Sequence, residues 1–180
     1  MKKLIIVGML VLAAIGIVGA QGTTQNKDIK VSASVGKNVY IVSVADLNLG
    51  SLNVVSGGSA TGNATIRSNH TSWTVKVYAD KGVLTQWDGT SYVTTTGATT
   101  IPYTFTFNSA ASVATEKIVG QALPTGDATT ATTATFTKRT TGGANGQPFA
   151  YSVNVSGAAG GADWDAANYQ DTIHMVVTAN

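Results

Sequence analysis

From Ile29 to Val35 apolar and polar side chains alternate, Ile29-Lys30-Val31-Ser32-Ala33-Ser34-Val35, the period-two pattern of a strand with one buried face. Gly36-Lys37 ends that run, and Asn38 to Val44 follows as a second β-prone stretch. Asp46-Leu47-Asn48-Leu49-Gly50-Ser51-Leu52 comes next, with Gly50 placed for a bend or bulge that other residues resist. Gly57-Gly58 predicts a turn, and Ala64 to Arg67 a short strand. Trp73, Val75 and Val77 share one face of the next strand, while Thr74, Lys76 and Tyr78 share the other. The Asp88-Gly89 pair between aromatic flanks, Gln86-Trp87 and Ser91-Tyr92, predicts a tight hairpin turn. Ile101 to Phe107 alternates cleanly, and Pro102 places the start of that strand at a sheet edge. Thr125 to Thr141 is low-complexity and reads as a surface excursion, with Thr135-Phe136-Thr137 as its one strand-like core. Phe149 to Val155 and Asp171 to Thr178 are the two strongest strands, separated by a Gly/Ala/Asp loop from Gly157 to Asn168. About seven short strands with turns between them predict an all-β, immunoglobulin-like β-sandwich.

Composition supports the pattern. Only 11% of residues are charged, against roughly 25% in ordinary soluble domains, and Thr, Ser, Gly and Asn fill the polar positions. Helical bundles and coiled coils need surfaces rich in Ala, Glu and Lys, and this chain offers branched side chains that suit a pleated sheet. At 180 residues the chain has the length of one domain of ordinary size.

The first residues change the charge balance. Met1-Lys2-Lys3 precedes the run Leu4 to Val18, which has no charged or polar side chain, and Val18-Gly19-Ala20 supplies the small residues that a signal peptidase reads. Residues 1–20 are expected to be a cleaved secretory signal peptide, residues 21–28 a flexible N-terminal segment, and residues 29–180 a single sandwich domain. A retained membrane helix is the alternative, but the run is shorter than the roughly 20 apolar residues that span a bilayer. A prepilin-type leader lacks the acidic residue expected just inside its helix. Without Lys2 and Lys3 the chain carries nine basic and nine acidic residues. No basic footprint is left for nucleic acid or, after cleavage, for a membrane surface. The chain has no Cys, so it has no disulfide framework, and an exported domain must then be held by its core or by its neighbours.

Several stretches, in order, resemble spore coat U-type domains, which include the pilins of archaic chaperone–usher systems. Asp46-Leu47-Asn48-Leu49-Gly50 is similar to that family's D-L-x-F-G, with Leu49 where Phe is usual. Ile101-Pro102-Tyr103-Thr104-Phe105 resembles its L-P-Y-x-L strand, and Tyr169 to Thr178 its closing Y-x-D-T-v-x-v-x-v-T. The absence of Cys and the Thr-rich stretch around Thr129 to Thr137 depart from the family pattern. The resemblance implies a secreted, self-associating sandwich on the cell surface, with a periplasmic chaperone and an usher as assembly partners.

The residues give that association a physical basis. A sandwich with an unpaired sheet edge exposes backbone donors and acceptors, and a neighbour's extended segment can fill the gap by strand addition. Ile29, Val31, Ala33 and Val35 are spaced to donate, and Tyr151 to Val155 or Ile173, Met175 and Val177 to accept. The competing reading makes residues 29–35 the domain's own first strand.

Other chemistry is sparse. The only histidines are His70 and His174, and no Gly-x-Ser-x-Gly elbow is present, so the chain is read as no enzyme. Asp163, Asp165 and Asp171 are the densest acidic group, a weak calcium candidate without an EF-hand pattern and otherwise solvated or turn-bonded. No other cofactor is expected. Trp87 and Trp164 fall in loops, where rings can stack on sugars, whereas Trp73 alternates with core positions. The expected function is an exported structural subunit of a pilus, fimbria or surface coat. The alternative is a monomeric secreted glycan-binding module or adhesin that uses Trp87 and Trp164.

Overall fold

Among the described residues strands account for nearly all the regular structure, as the alternation requires: β1 (Val39–Val44), β2 (Gly58–Ser68), β3 (Trp73–Ala79), β4 (Val83–Gln86), β5 (Thr100–Pro102), β6 (Thr104–Phe107), β7 (Ile118–Gln121), β8 (Thr132–Phe136), β9 (Gln147–Val155), β10 (Tyr169–Gln170) and β11 (Ile173–Ala179). Among the described residues two 3-10 turns, Ala114–Glu116 and Gly143–Asn145, are the helical content. This computed structural model describes residues 32–158 and 164–180. Residues 36–180 form one compact unit; of the residues before it 32–35 are described, and they are exposed and belong to no strand. Among the described residues no helix is long and apolar enough to cross a membrane.

One layer is a five-stranded antiparallel sheet in the order β1-β2-β9-β6-β7. The other consists of two three-stranded sheets, β11-β3-β8 and β10-β4-β5. These two are successive pieces of longer strands: β11 pairs with β3 and β10 with β4, and the kink falls at Asp80-Lys81-Gly82, where Gly82 has φ +70°. Eleven segments therefore stand where about seven strands are expected. Long strands break at kinks, and the Ile101–Phe107 run divides at Tyr103, so β5 pairs with β4 in one layer and β6 with β9 in the other. Pro102 lies in β5, an edge strand, where its missing N–H leaves no ladder gap.

The layers enclose a single apolar cluster. Trp73, Val75 and Val77 face Phe105, Phe107, Phe149, Tyr151 and Val153, and all are buried. Trp73 stacks on Phe136 at 4.0 Å between ring centroids and meets Phe149 edge-on at 5.8 Å, while its indole N–H donates to the Lys138 carbonyl oxygen at 2.8 Å.

Three sequence expectations are corrected. The Thr-rich stretch is not a surface excursion: β8 pairs with β3 from Val77↔Thr132 to Trp73↔Phe136, and Ala134 and Phe136 are core residues. The strand at Ala64–Arg67 is the buried end of the 11-residue β2. The Asp88-Gly89 turn is a four-residue loop between bridged Trp87 and Tyr92, with Asp88 accepting the Thr90 and Ser91 N–H groups.

Candidate functional site

A groove that the core leaves unfilled runs between the two layers along one side of the sandwich. Its floor is lined by Leu84, Tyr103, Phe105, Tyr151 and Val153, and beside it the small residues Gly58, Ala60, Gly62 and Ala64 of β2 leave room above the sheet. The segment after β1 fills part of that room. Leu47 packs against Gly62 and Leu52 against Gly58, so closely that a Cβ at either glycine would press on the leucine. Leu49 packs against the same core, and the Tyr151 hydroxyl donates to the Ala45 carbonyl oxygen.

Asp46–Leu52 therefore buries side chains like a strand, yet it belongs to none. Among the described residues its backbone makes no hydrogen bond to another backbone group, and the Gly50 N–H is taken by the Asn48 side chain at 2.8 Å. Opposite it lies the outer edge of β10 and β11, each the terminal strand of its sheet. Two cavities of about 580 and 950 Å³ open between these walls. The smaller is lined by Val44, Leu47, Tyr103, Phe105, Tyr151, Ile173 and Met175, the larger by Leu49, Leu52, Val54, Ile101, Trp164 and Tyr169. Leu47, Leu49, Leu84 and Tyr169–Asp171 line both, so the cavities are one groove. At the Asn180 end it narrows, because β1 and β11 approach one another and Lys37 Nζ donates to the Asn180 carbonyl oxygen at 2.7 Å.

Asp171 sits where the two cavities meet. Its Oδ1 accepts the backbone N–H of Lys81 and of Thr172, and its Oδ2 accepts the Tyr103 hydroxyl at 2.8 Å. Burial pushes the Asp171 carboxyl above the usual carboxylate range, against the lowering effect of these donors. The same burial, with the Asp171 charge beside it, pushes the Tyr103 hydroxyl up.

The predicted site residues are distributed unevenly about this groove. Ile173 and Met175 line it, half-buried, on an edge strand. Val177 lies further along β11, paired with Val75 and outside the groove lining. Tyr151 to Val155 is corrected as an acceptor edge: it lies in β9, hydrogen-bonded on both sides by β2 and β6. Ile29 and Val31 lie outside the described residues; Ala33 and Val35 are exposed, Val35 at 87%. Asp163 lies outside the described residues too. Asp165 accepts Gln86 Nε2 and Thr99 Oγ1, and among the described residues no three His, Cys, Asp or Glu side chains gather as a metal centre. Trp164 packs half-buried at the wide end of the groove, and Trp87 meets Tyr92 edge-on at 5.1 Å. His174 faces outward, stacks on Tyr78 at 4.7 Å and pairs with Asp80 at 2.8 Å.

The groove's second wall escaped the sequence reading, although its signal was present: alternating Leu47 and Leu49 beside a run of small residues in β2. No family model matches the chain, and no curated protein matches its sequence.

Proposed function

We propose that the chain is an exported structural subunit of a pilus, fimbria or surface coat that self-associates by β-strand complementation. One observation carries the reading: a groove between the layers whose two walls, Asp46–Leu52 and the β10–β11 edge, both have backbone without a strand partner among the described residues. One extended segment laid between them pairs with both walls and drops alternate side chains onto the floor. Residues 29–35 have the required alternation, with Ile29, Val31, Ala33 and Val35 on one face. Donation from one copy into the next is heterologous, so it builds an open filament and not a closed dimer. The leader-like residues 1–20 and the resemblance to spore coat U-type domains support export and a surface location.

The test is size-exclusion chromatography and negative-stain microscopy of the chain from Gln21 onward, beside one lacking residues 21–36. Filaments or an oligomer ladder from the first, and a folded monomer from the second, are the expected results. A first chain that stays monomeric, or a second that fails to fold, makes residues 29–35 an intramolecular strand and overturns the proposal.

A further inference from the structure

Resting on the self-association reading, we infer that the groove is keyed by charge to a lysine-bearing strand, supplied by residues 27–35 of a second copy. Three carboxylates line the groove, Asp46 in the smaller cavity, Asp165 in the larger and Asp171 where they meet, and no Lys, Arg or His lines either. None of the three is in a salt bridge among the described residues; the His174–Asp80 contact there lies on the outer face. Their hydrogen-bond donors are neutral: Gln86 and Thr99 for Asp165, and Tyr103 with two backbone N–H groups for Asp171. The Asp46 side chain is exposed and makes no hydrogen bond among the described residues. In a chain with only nine acidic residues, three uncompensated carboxylates along one groove set a negative potential there.

The donor carries the complement. Residues 29–35 hold one charge, Lys30, with Lys27 just before them and Asp28 between. Because strand side chains alternate, Ile29, Val31, Ala33 and Val35 facing the floor put Lys27 on their own face and turn Asp28 and Lys30 toward the rim, so the complement to the groove, where Asp46 and Asp165 are exposed, is the segment's net charge of +1. Rim charges of this kind act on the rate of encounter and on partner choice, and salt screens them. The groove thereby disfavours acidic strands of equal hydrophobicity and favours this chain's own segment.

The test uses two chains from Gln21 onward with opposite reversals: Lys27→Glu with Lys30→Glu, and Asp46→Lys with Asp165→Lys. Each alone sets like charges against each other, and assembly followed by light scattering at low salt, about 20 mM, should slow about tenfold. Mixed in equal amounts they should recover to within about twofold of the unaltered chain, because each donor then meets an opposite groove; at about 0.5 M salt all differences should vanish. Asp46→Lys alone, which removes no hydrogen bond, should slow assembly as well, and separates charge from any loss of fold caused by the Asp165 change. Reversed chains that assemble at the unaltered rate overturn the charge key and leave strand addition standing. An unaltered chain that never assembles overturns both.

Discussion

Replacing Tyr103 by Phe isolates one hydrogen bond beneath the groove. The ring stays in the core, where the residue is only 3% exposed, and the single loss is the hydroxyl that donates to Asp171 at 2.8 Å. A hydrogen bond to a charged group contributes about 1.5–3 kcal/mol, and Asp171 is half-buried and keeps its two backbone donors, so a cost of about 2 kcal/mol at neutral pH is expected. With a urea slope of roughly 2 kcal/mol per M, the unfolding midpoint falls by about 1 M. The pH dependence identifies the cause. The folded-state pKa of Asp171 is raised, so its contribution to stability is fully present below the ordinary value of 3.8 and is lost as pH rises through the folded pKa. The Tyr103 hydroxyl opposes that rise, and removing it raises the pKa further and steepens the loss. Below pH 3.8 the carboxyl is neutral, and the penalty shrinks to about 1 kcal/mol, that of a neutral hydrogen bond. Urea titrations at neutral pH and near pH 3, followed by tryptophan fluorescence, measure both. Equal midpoint shifts at the two pH values, or none at either, would refute the role given to Asp171.

Asp88, exposed and accepting hydrogen bonds from Thr90 and Ser91, has its carboxyl pKa lowered to about 2. A lowered pKa means that its contribution is present above 3.8 and lost as pH falls through about 2; an NMR titration with a midpoint near 3.8 would contradict the turn geometry. Trp73→Ala removes the stack on Phe136 and the edge contact with Phe149, and should cost about 3–5 kcal/mol, read as a fall of about 10 °C or more in Tm by circular dichroism. Gly57 has φ +71°, and a Cβ there would collide with the Val155 carbonyl, so Gly57→Ala should destabilise by more than about 1 kcal/mol in the same melt.

The all-β class and the core-facing residues of β3 and β9 were legible because alternation of apolar side chains is itself the physics of a half-buried strand. β8 was hidden by its composition. Thr132, Thr133 and Thr135 resemble a low-complexity tract, and only Ala134 and Phe136 register its burial. β4 and β7 are four residues each, too short to establish a period. The groove was legible in part: Ile173 and Met175 stand on it, but Tyr151 to Val155 shows the same alternation and lies mid-sheet. Alternation reports which face is buried and is silent on whether the backbone edges have partners. That depends on pairing with β2 and β6, far away in sequence.

The absence of cysteine makes the central claim directly measurable. Chains from Gln21 onward carrying Val31→Cys and Met175→Cys, one of them tagged for size, are mixed, allowed to assemble and oxidised. Strand complementation predicts a disulfide between a tagged and an untagged chain, formed only when both variants are present. No mixed species, together with a disulfide confined within single chains of the Val31→Cys/Met175→Cys double variant, would contradict it and make the segment the domain's own strand.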